Sequence, residues 1–95
     1  MHVISKKAAR LFWEKYPDSE TPLRVWLKAM RDTEFKNLAE LRFAFPSADN
    51  VADLIVFNIG GNKYRLIASV HFNRRKVYVR HILTHEEYDK GRWKQ

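Results

Sequence analysis

The chain contains no cysteine among its 95 residues. Disulfide bonds, thiol catalysis and cysteine-ligated zinc are therefore excluded. Glycine and proline are scarce, with three of each, and we find no repeat, low-complexity segment or flexible linker. A length of 95 residues predicts a single domain over residues 1–95. Without disulfides so small a domain must rely on its apolar core, and hydrophobic residues, which make up 45% of the chain, can supply one.

The sequence also lacks a long hydrophobic run. No segment approaches the roughly 18 consecutive apolar residues that a membrane-spanning helix needs. The opening segment, MHVISKKAARLFWEKY, carries charges where a signal peptide would have an apolar stretch. We therefore expect a cytoplasmic protein with no membrane partner.

Positive charge, in contrast, is abundant. The chain has 18 lysines and arginines against 11 acidic residues, which gives a net charge of +7 and an isoelectric point near 9.9. A chain this basic favours an anionic partner, which could be nucleic acid, an acidic protein or a membrane surface. Many small soluble proteins are basic, so the charge favours nucleic acid without identifying it.

The first half of the chain has the periodicity of helices. A first helix is predicted from a Ser5 cap to about Tyr16, where Pro17 ends it. A second helix is predicted to begin at Thr21-Pro22, a capping residue followed by proline at the first helical position. The segment PDSE would join the two helices as a hairpin, and a weaker helix is predicted over residues 37–43.

The second half of the chain has the period of two that strands show. Strands are predicted at residues 54–59, 63–72 and 76–83, with the turns GGN and NRR between them. Because the connections are short, this β-meander should be antiparallel. An opening strand is predicted either at residues 3–4 or at residues 43–45.

A short helix is predicted after the last strand. Thr84 and Glu87 have the spacing of a capping box, so the helix should start at Thr84 and end near Gly91. Together the elements predict an α+β fold, in which an N-terminal helical hairpin packs on one face of a small antiparallel sheet and a short helix follows.

Alternation along residues 63–72 assigns the two faces of the central strand. The core face is predicted to hold Tyr64, Leu66, Ala68, Val70 and Phe72. The opposite face, where water or a substrate would be, is predicted to hold Lys63, Arg65, Ile67, Ser69 and His71. The third strand shows no clean apolar set, so the pattern leaves the faces of Arg80 and His81 open.

Two pairs of side chains in this half suit phosphate chemistry. Lys63 and Arg65 place two cations on one strand face, where arginine can hold a phosphate through two parallel hydrogen bonds. His85 and Tyr88, one helical turn apart, add a proton-transfer group and a hydrogen-bond donor or stacking ring. Each pair also has a plainer interpretation: a solvated strand face for the cations, and a surface histidine with a helix-anchoring tyrosine for the second pair.

A metal site is not predicted. His81 and His85 are four residues apart, but one lies on a strand and the other starts a helix, and no HExxH pattern supplies further ligands. The hairpin tip formed by Arg74, Arg75 and Lys76 can grip a phosphate backbone without reading sequence, or it is a solvated turn.

Several segments of the chain resemble one family. The stretches FPSADNV, VFNIGGNKYRL and LTHEEYDKGRWK look like those of the HigB-type toxins of the RelE-like superfamily, and the opening VISKKAARLFWEKYPDSETPLRVW is similar too. The resemblance covers nearly the whole chain. It implies a RelE-like fold with a basic active-site groove, and the toxin component of a type II toxin–antitoxin system.

The same resemblance implies an activity and partners. The activity would be ribosome-dependent endoribonuclease cleavage of mRNA that inhibits translation, without a metal or cofactor. Its products would be a 2′,3′-cyclic phosphate and a 5′-hydroxyl. The implied partners are mRNA, the ribosome and a HigA-like helix-turn-helix antitoxin.

The resemblance also implies roles for particular residues. The YRL at Tyr64-Arg65-Leu66 is similar to the YR(V/L) of RelE-like toxins, whose arginine contacts the scissile phosphate. His85 and Tyr88 stand where that family has a histidine or lysine and a tyrosine. At Glu86 the chain departs from the pattern, because many RelE-like toxins have arginine there, and Arg80, Lys63 or Lys90 would have to replace that charge. The predicted catalytic set is Lys63, Arg65, His85 and Tyr88, and the predicted RNA-binding set is Arg74, Arg75, Lys76, Arg80 and Lys90.

Two other functions fit the same basic face. One is a non-catalytic module that binds RNA or the ribosome, and the other is a protein-interaction module that docks an acidic partner. An assay with translating ribosomes distinguishes the first alternative from a nuclease, because a binder would occupy mRNA without cleaving it. The identity of the adjacent gene distinguishes the second alternative from a toxin, because a small helix-turn-helix protein encoded there favours the toxin.

Overall fold

The structure, a computed structural model, describes residues 1–94. In chain order its elements are β1 (His2–Ile4), α1 (Lys6–Lys15), α2 (Glu20–Asp32), α3 (Leu38–Ala44), β2 (Asp49–Val51), β3 (Leu54–Ile59), β4 (Tyr64–His71), β5 (Lys76–Thr84) and α4 (His85–Lys90). Short 3₁₀ turns occupy Pro17–Ser19, Phe72–Arg74 and Arg92–Lys94. The strands form one sheet in the order β1-β5-β4-β3-β2, which confirms the predicted α+β class.

One strand makes the sheet mixed rather than purely antiparallel. β2, β3, β4 and β5 pair antiparallel as predicted, whereas β1 lies parallel to β5, with Val3 beside Val77. The opening strand is therefore at the first of the two predicted positions. The alternative at residues 43–45 is wrong, because Phe43 and Ala44 belong to α3.

Strand β2 was not predicted. Residues 49–51 have the composition of a loop, yet they pair with β3 through the two-residue turn of Ala52 and Asp53. These two residues have φ angles of 51° and 65°, in the left-handed region that favours glycine or asparagine. Aspartate tolerates this conformation, but alanine does not favour it, so the two residues together gave no hairpin signal.

The first helix starts where predicted, with Ser5 at the N-cap position, but Ser5 has a φ of 81° and its side chain makes no capping hydrogen bond. The start of the second helix is corrected. Helix α2 begins at Glu20, one residue before the predicted cap at Thr21, because the 3₁₀ turn leads straight into it. The hydroxyl of Ser19, in that turn, donates to the carbonyl of Tyr16 at 2.6 Å.

The capping box predicted for α4 is confirmed. The Glu87 N–H donates to Thr84 Oγ1 at 3.2 Å, and the Thr84 N–H donates to Glu87 Oε1 at 3.0 Å. The helix ends at Gly91, whose φ of 71° suits a glycine terminator. Both ends of α4 are thus fixed by local sequence.

The main core lies between the sheet and helices α1 to α3. On β4, Leu66 and Ala68 are fully buried there, together with Leu23 and Trp26 of α2. Val70 and Phe72 pack against the same cluster. The inner face of β4 is therefore the predicted one.

A bulge explains why β5 showed no regular apolar pattern. Consecutive residues Ile67 and Ala68 of β4 pair with β5 residues that are two apart, which leaves Arg80 as an extra residue on β5. A bulge shifts the alternation of side chains by one residue. Val79 before the bulge and Ile82 after it consequently both reach the main core.

The opposite side of the sheet, which we call the outer face, carries Arg65, Ile67, Ser69 and His71 of β4. Water does not cover all of it, contrary to the prediction. Ile67 is completely buried, because Trp93 and Val56 pack on it in a second, small apolar cluster. The C-terminal 3₁₀ turn therefore lies across one part of the outer face.

Candidate active site

Arg65 is a buried cation on the outer face, with only 8% of its surface exposed. Its Nη1 donates to the carbonyls of Asn62 and Tyr64 at 3.2 and 3.1 Å, and its Nη2 is 3.3 Å from the side-chain oxygen of Asn62. All these acceptors are neutral. Within residues 1–94 no carboxylate forms an ion pair with Arg65. A buried charge without a counter-ion is costly, so an anionic ligand would stabilise this site.

Two aromatic rings hold the Arg65 side chain in place. Arg65 Cζ lies 5.4 Å from the ring centroid of Tyr88. The Tyr88 ring stacks on Trp93 with centroids 5.3 Å apart and an interplanar angle of 14°. Trp93 Nε1 donates to the Tyr88 carbonyl at 3.2 Å. Guanidinium, phenol and indole therefore form one stack, in which cation–π and aromatic contacts restrict the arginine.

His85 lies at the same end of the sheet as Arg65. Tyr64 pairs with Thr84, and the N–H of the next residue, His85, donates to the Lys63 carbonyl at 2.9 Å. His85 Nδ1 lies 3.0 Å from Asp89 Oδ2, one helical turn away. That contact orients the imidazole through Nδ1 and leaves Nε2 available to a ligand, as in acid–base histidines elsewhere.

The prediction that Lys63 and Arg65 present two cations on one face is wrong. Lys63 precedes β4, and its Nζ lies 2.9 Å from Asp18 Oδ2. The other oxygen of Asp18 accepts a hydrogen bond from the Tyr64 hydroxyl at 2.6 Å, and Tyr64 belongs to the main core. Lys63 therefore turns toward the helical layer, away from the outer face.

The contacts at Asp18 shift two pKa values. Hydrogen bonds from Tyr64 and then Lys63 hold the pKa of the Asp18 carboxyl below its ordinary value of 3.8. The hydrogen bond to Asp18, with a smaller effect from burial, raises the pKa of Tyr64 to about 12. Both shifts report a carboxylate that fastens the turn between α1 and α2 to the start of β4.

The predicted RNA-binding cations differ in their pairing. Arg75 Nε lies 3.6 Å from Glu34, and Lys90 Nζ lies 3.8 Å from Glu86. Among residues 1–94, no carboxylate forms an ion pair with Arg74, Lys76 or Arg80. Arg74 and Lys76 lie at the end of the β4–β5 hairpin opposite to Arg65, whereas Arg80 lies in the middle of β5, opposite Ile67 and Ala68. All three are free to meet a long anion, and the two at the hairpin tip lie too far along β4 to reach a phosphate held by Arg65.

A cleft of about 330 Å³ opens on the outer face between β5 and α4. It is lined by His81, Leu83, Glu87, Lys90, Arg92 and Trp93. Arg65 and His85 are not part of this lining. His81 lies on the outer face, because it pairs with Ile67. The alternation along β5 had left the face of His81 open.

Within residues 1–94 no group of three or more His, Cys, Asp or Glu side chains is placed to hold a metal ion. In the same part of the chain, no helix combines the length and the apolar composition needed to cross a bilayer.

Three residues of this site are absent from the predicted set. Asp89 could have been found, because its spacing of four residues from His85 puts both on one side of a helix. Asn62 gave only a turn signal, and its contact with Arg65 depends on the folded loop. Trp93 contacts Tyr88 because the chain turns back at Gly91, which no periodicity announces.

The fold and the site define a small basic α+β protein with a buried arginine beside a histidine–aspartate pair. A family model described as HigB_toxin, the RelE-like toxic component of a toxin–antitoxin system, matches residues 19–91. The chain therefore belongs to the HigB toxin family, as the resemblance of its motifs indicated.

Individual relatives match over nearly the whole chain. The mRNA interferase toxin HigB of Escherichia coli strain K12 is 41% identical over 92 residues, which cover 94% of this chain and 88% of that protein. The mRNA interferase HigB of Shigella flexneri gives the same values. The mRNA interferase HigB of Escherichia coli O6:H1 is 37% identical over 93 residues, or 95% of this chain and 90% of that protein.

Proposed function

We propose that this toxin is an mRNA endoribonuclease whose catalytic groups are Arg65, His85 and Tyr88. The observation that carries the proposal is the Arg65 guanidinium, which is buried and bound only by neutral acceptors within residues 1–94. A phosphate matches the planar donor geometry of arginine and supplies the missing negative charge. The relatives are mRNA interferases, which supports mRNA as the source of that phosphate.

Each group has a role in the proposed reaction. A base removes the proton of the ribose 2′-hydroxyl, whose oxygen attacks the adjacent phosphorus, and an acid protonates the departing 5′-oxygen. His85, oriented by Asp89, serves in one of these proton transfers. Arg65 stabilises the charge that develops on the phosphate oxygens, and Tyr88 positions Arg65. The products are a 2′,3′-cyclic phosphate and a 5′-hydroxyl.

The remaining cations act around this centre in the proposal. Lys63 has no catalytic role in the proposal, since its ammonium is paired with Asp18 and does not lie on the face of Arg65. Arg74, Arg75, Lys76, Arg80 and Lys90 bind the flanking phosphate backbone. We propose that no metal or cofactor takes part, because His85 can transfer the proton and Arg65 can stabilise the charge on the phosphate.

Membership of the HigB toxin family supports a proposal for the cellular setting. We propose that the protein acts in the cytoplasm on mRNA bound to translating ribosomes, and that a HigA-like helix-turn-helix antitoxin neutralises it. The strong positive charge of the chain supports association with ribosomes, because a cationic surface speeds encounter with a polyanion.

Expression of the protein alone should arrest growth, and co-expression of the adjacent antitoxin gene should restore it. The matched control is His85→Ala, produced to the same level, which should permit growth. Unimpaired growth while soluble, folded wild-type protein accumulates would count against the toxin function.

Purified protein added to translating ribosomes should cleave the mRNA, and mapping should find cyclic-phosphate ends. Protection of mRNA without any cleavage would instead support the non-catalytic binder. Elemental analysis of the active protein should find less than stoichiometric metal, and stoichiometric zinc or manganese would overturn metal independence.

A further inference from the structure

A second group of functional side chains lies on the outer face, away from Arg65. Ser69 of β4 pairs with Tyr78 of β5, and the His71 ring meets the Tyr78 ring edge-on at 5.3 Å and 87°. Ser69 Oγ and His71 Nε2 are 3.1 Å apart. Arg80 Cζ lies 5.2 Å from the Tyr78 ring centroid. The four side chains therefore form one connected surface, which we call the Tyr78 platform.

The platform is not explained by packing. Tyr78 and His71 are only half-buried, and within residues 1–94 neither apolar cluster includes them. Burying an aromatic ring is the usual reason to place one in a sheet. A half-exposed ring that joins no core is instead suited to contact a ligand.

The chemistry of the platform indicates the ligand. In this part of the molecule, as far as residues 1–94 show, no carboxylate pairs with Arg80 or with Lys76 beside Tyr78. An aromatic face under an arginine, surrounded by uncompensated positive charge, is a combination that binds unstacked bases of single-stranded RNA. The guanidinium of Arg80 can close on a base that stacks on Tyr78, while its charge meets the neighbouring phosphate.

The geometry also connects the platform with the proposed active site. Arg65 and Ser69 lie on the same face of β4, and four residues of strand span about 13 Å. The bulge brings Arg80 to this surface as an extra residue. One extended RNA strand can therefore reach both places.

We propose that the Tyr78 platform is a nucleotide subsite that stacks one base of the mRNA away from the cleaved bond. The inference rests on mRNA being the substrate of this toxin, but not on the catalytic assignment of Arg65 or His85. It assigns a function to Tyr78 and His71, which the predicted RNA-binding set did not contain.

The test measures binding of a fluorescein-labelled single-stranded hexaribonucleotide to the purified toxin by fluorescence anisotropy. Tyr78→Leu keeps apolar bulk but removes the ring, so binding should weaken about 5- to 100-fold, the range expected for one stacked base. Tyr78→Phe retains the ring and should bind like wild type. Because no charge is lost, the dependence of affinity on salt should not change in either variant.

Phe43→Leu is the matched control, since Phe43 is an exposed aromatic residue, 92% exposed, on α3. It should bind RNA like wild type. Melting curves check that Tyr78→Leu is folded. As a second variant, Tyr78→Trp places an indole on the platform, and RNA should quench its fluorescence beyond the quenching seen in the wild-type protein.

Equal affinity of Tyr78→Leu and wild type would overturn the proposal, as would absence of any added quenching in Tyr78→Trp. A hexamer of abasic nucleotides should bind folded Tyr78→Leu and wild type equally, because only a base can stack. If it discriminates between them, the subsite reads the backbone and the proposal fails. Loss of cleavage in Arg65→Ala or His85→Ala tests the catalytic site separately, since this binding assay needs no turnover.

Discussion

Tyr64 and Arg65 are neighbours on β4, but the charges on their two faces differ in whether the chain itself compensates them. On the inner face, the Tyr64 hydroxyl and the Lys63 ammonium share the carboxylate of Asp18. On the outer face, the Arg65 guanidinium finds only neutral oxygens within residues 1–94. A charge that the chain satisfies itself supports the fold, whereas a buried charge that it leaves uncompensated is available to a ligand.

The largest expected effect is on the outer side, at His85. His85→Ala should reduce single-turnover cleavage about 10²- to 10⁴-fold, because proton transfer is lost. The side chain is 49% exposed, so the melting temperature should change little. Asp89→Asn should have a smaller effect in the same direction, through lost orientation of the ring. Wild-type cleavage by His85→Ala would remove His85 from the mechanism.

Arg65→Ala should reduce cleavage about 10²- to 10³-fold, the usual loss for one donor to a developing oxyanion. Burial and the contact with Tyr88 mean that it should also lower the melting temperature, although alternation alone placed Arg65 in water. Arg65→Lys keeps the charge without the planar fork and should recover only part of the rate. If Tyr64→Phe, on the inner face, lost as much activity while remaining folded, the distinction between the two faces would fail.

Substituting alanine for Leu66 or for its neighbour Ile67 compares how much the apolar clusters on the two faces of the sheet contribute to stability. Leu66→Ala should lower the free energy of unfolding by about 2–5 kcal/mol, because it leaves a cavity in the main core. Ile67→Ala should cost less, since the small cluster beneath Trp93 can collapse into the space. Urea unfolding of both variants measures the difference. A greater loss for Ile67→Ala would show that the outer cluster carries more of the stability.

Melting temperatures measured at decreasing pH should isolate the contribution of the Asp18 carboxylate to stability. The pKa of Asp18 is lower in the folded state than its ordinary 3.8, so its stabilisation is present above that value and is lost as the pH falls through the folded-state pKa. Asp18→Asn should therefore melt below wild type at neutral pH, and the difference in melting temperature should shrink as the pH falls below 3.8 and through the folded-state pKa. A difference that persists in acid would assign the effect to something other than the charge.

Alkaline titration tests the other partner of this contact. The pKa of Tyr64 is raised from 10.0 to about 12. Its stabilisation is therefore fully present below pH 10 and is lost as the pH rises toward the folded-state value. Tyr64→Phe should lack this alkaline loss when melting temperatures are compared across that range, and identical alkaline profiles would contradict the assignment.

The smallest effect is expected at the hairpin tip. Arg74→Ala should weaken binding of single-stranded RNA and lower the slope of log affinity against log salt by about 1, while turnover is preserved. Arg75→Ala is the matched control and should change the slope less, since Glu34 already lies beside that guanidinium. Equal slopes for wild type and Arg74→Ala would exclude Arg74 from the interface.

Local sequence signals predicted most helices and strands well, but they did not predict contacts between residues that are distant in the chain. The capping box at Thr84 and the alternation along β4 need only neighbours in the chain, and both are confirmed. The pairing of β1 with β5 and the covering of Ile67 by Trp93 join residues that are distant in sequence, which periodicity does not report. The misplaced Lys63 has the same cause, because its partner Asp18 is 45 residues away.

The catalytic roles assigned from the sequence stay predictions, whereas the geometry around the assigned residues comes only from the structure. Arg65 contacts the Tyr88 ring, and the backbone of His85 lies at the same end of the β4–β5 hairpin. The burial of Arg65 could not be foreseen, because it depends on a stack built by the turn after Gly91. The platform at Tyr78 was hidden by the bulge, which removed the regular alternation from β5.

That bulge has a consequence for how this strand tolerates the deletion of one residue. Val79 and Ile82 are three residues apart, and removing Arg80 would bring them to the spacing of two that a regular strand uses to keep both on one side. A one-residue deletion in most half-buried strands turns the following side chains to the wrong side. Here it would subtract a surface cation and leave the packed side chains in place. Loss of the Arg80 codon would thus remove one cation from the surface of β5 while the interior of the protein is preserved.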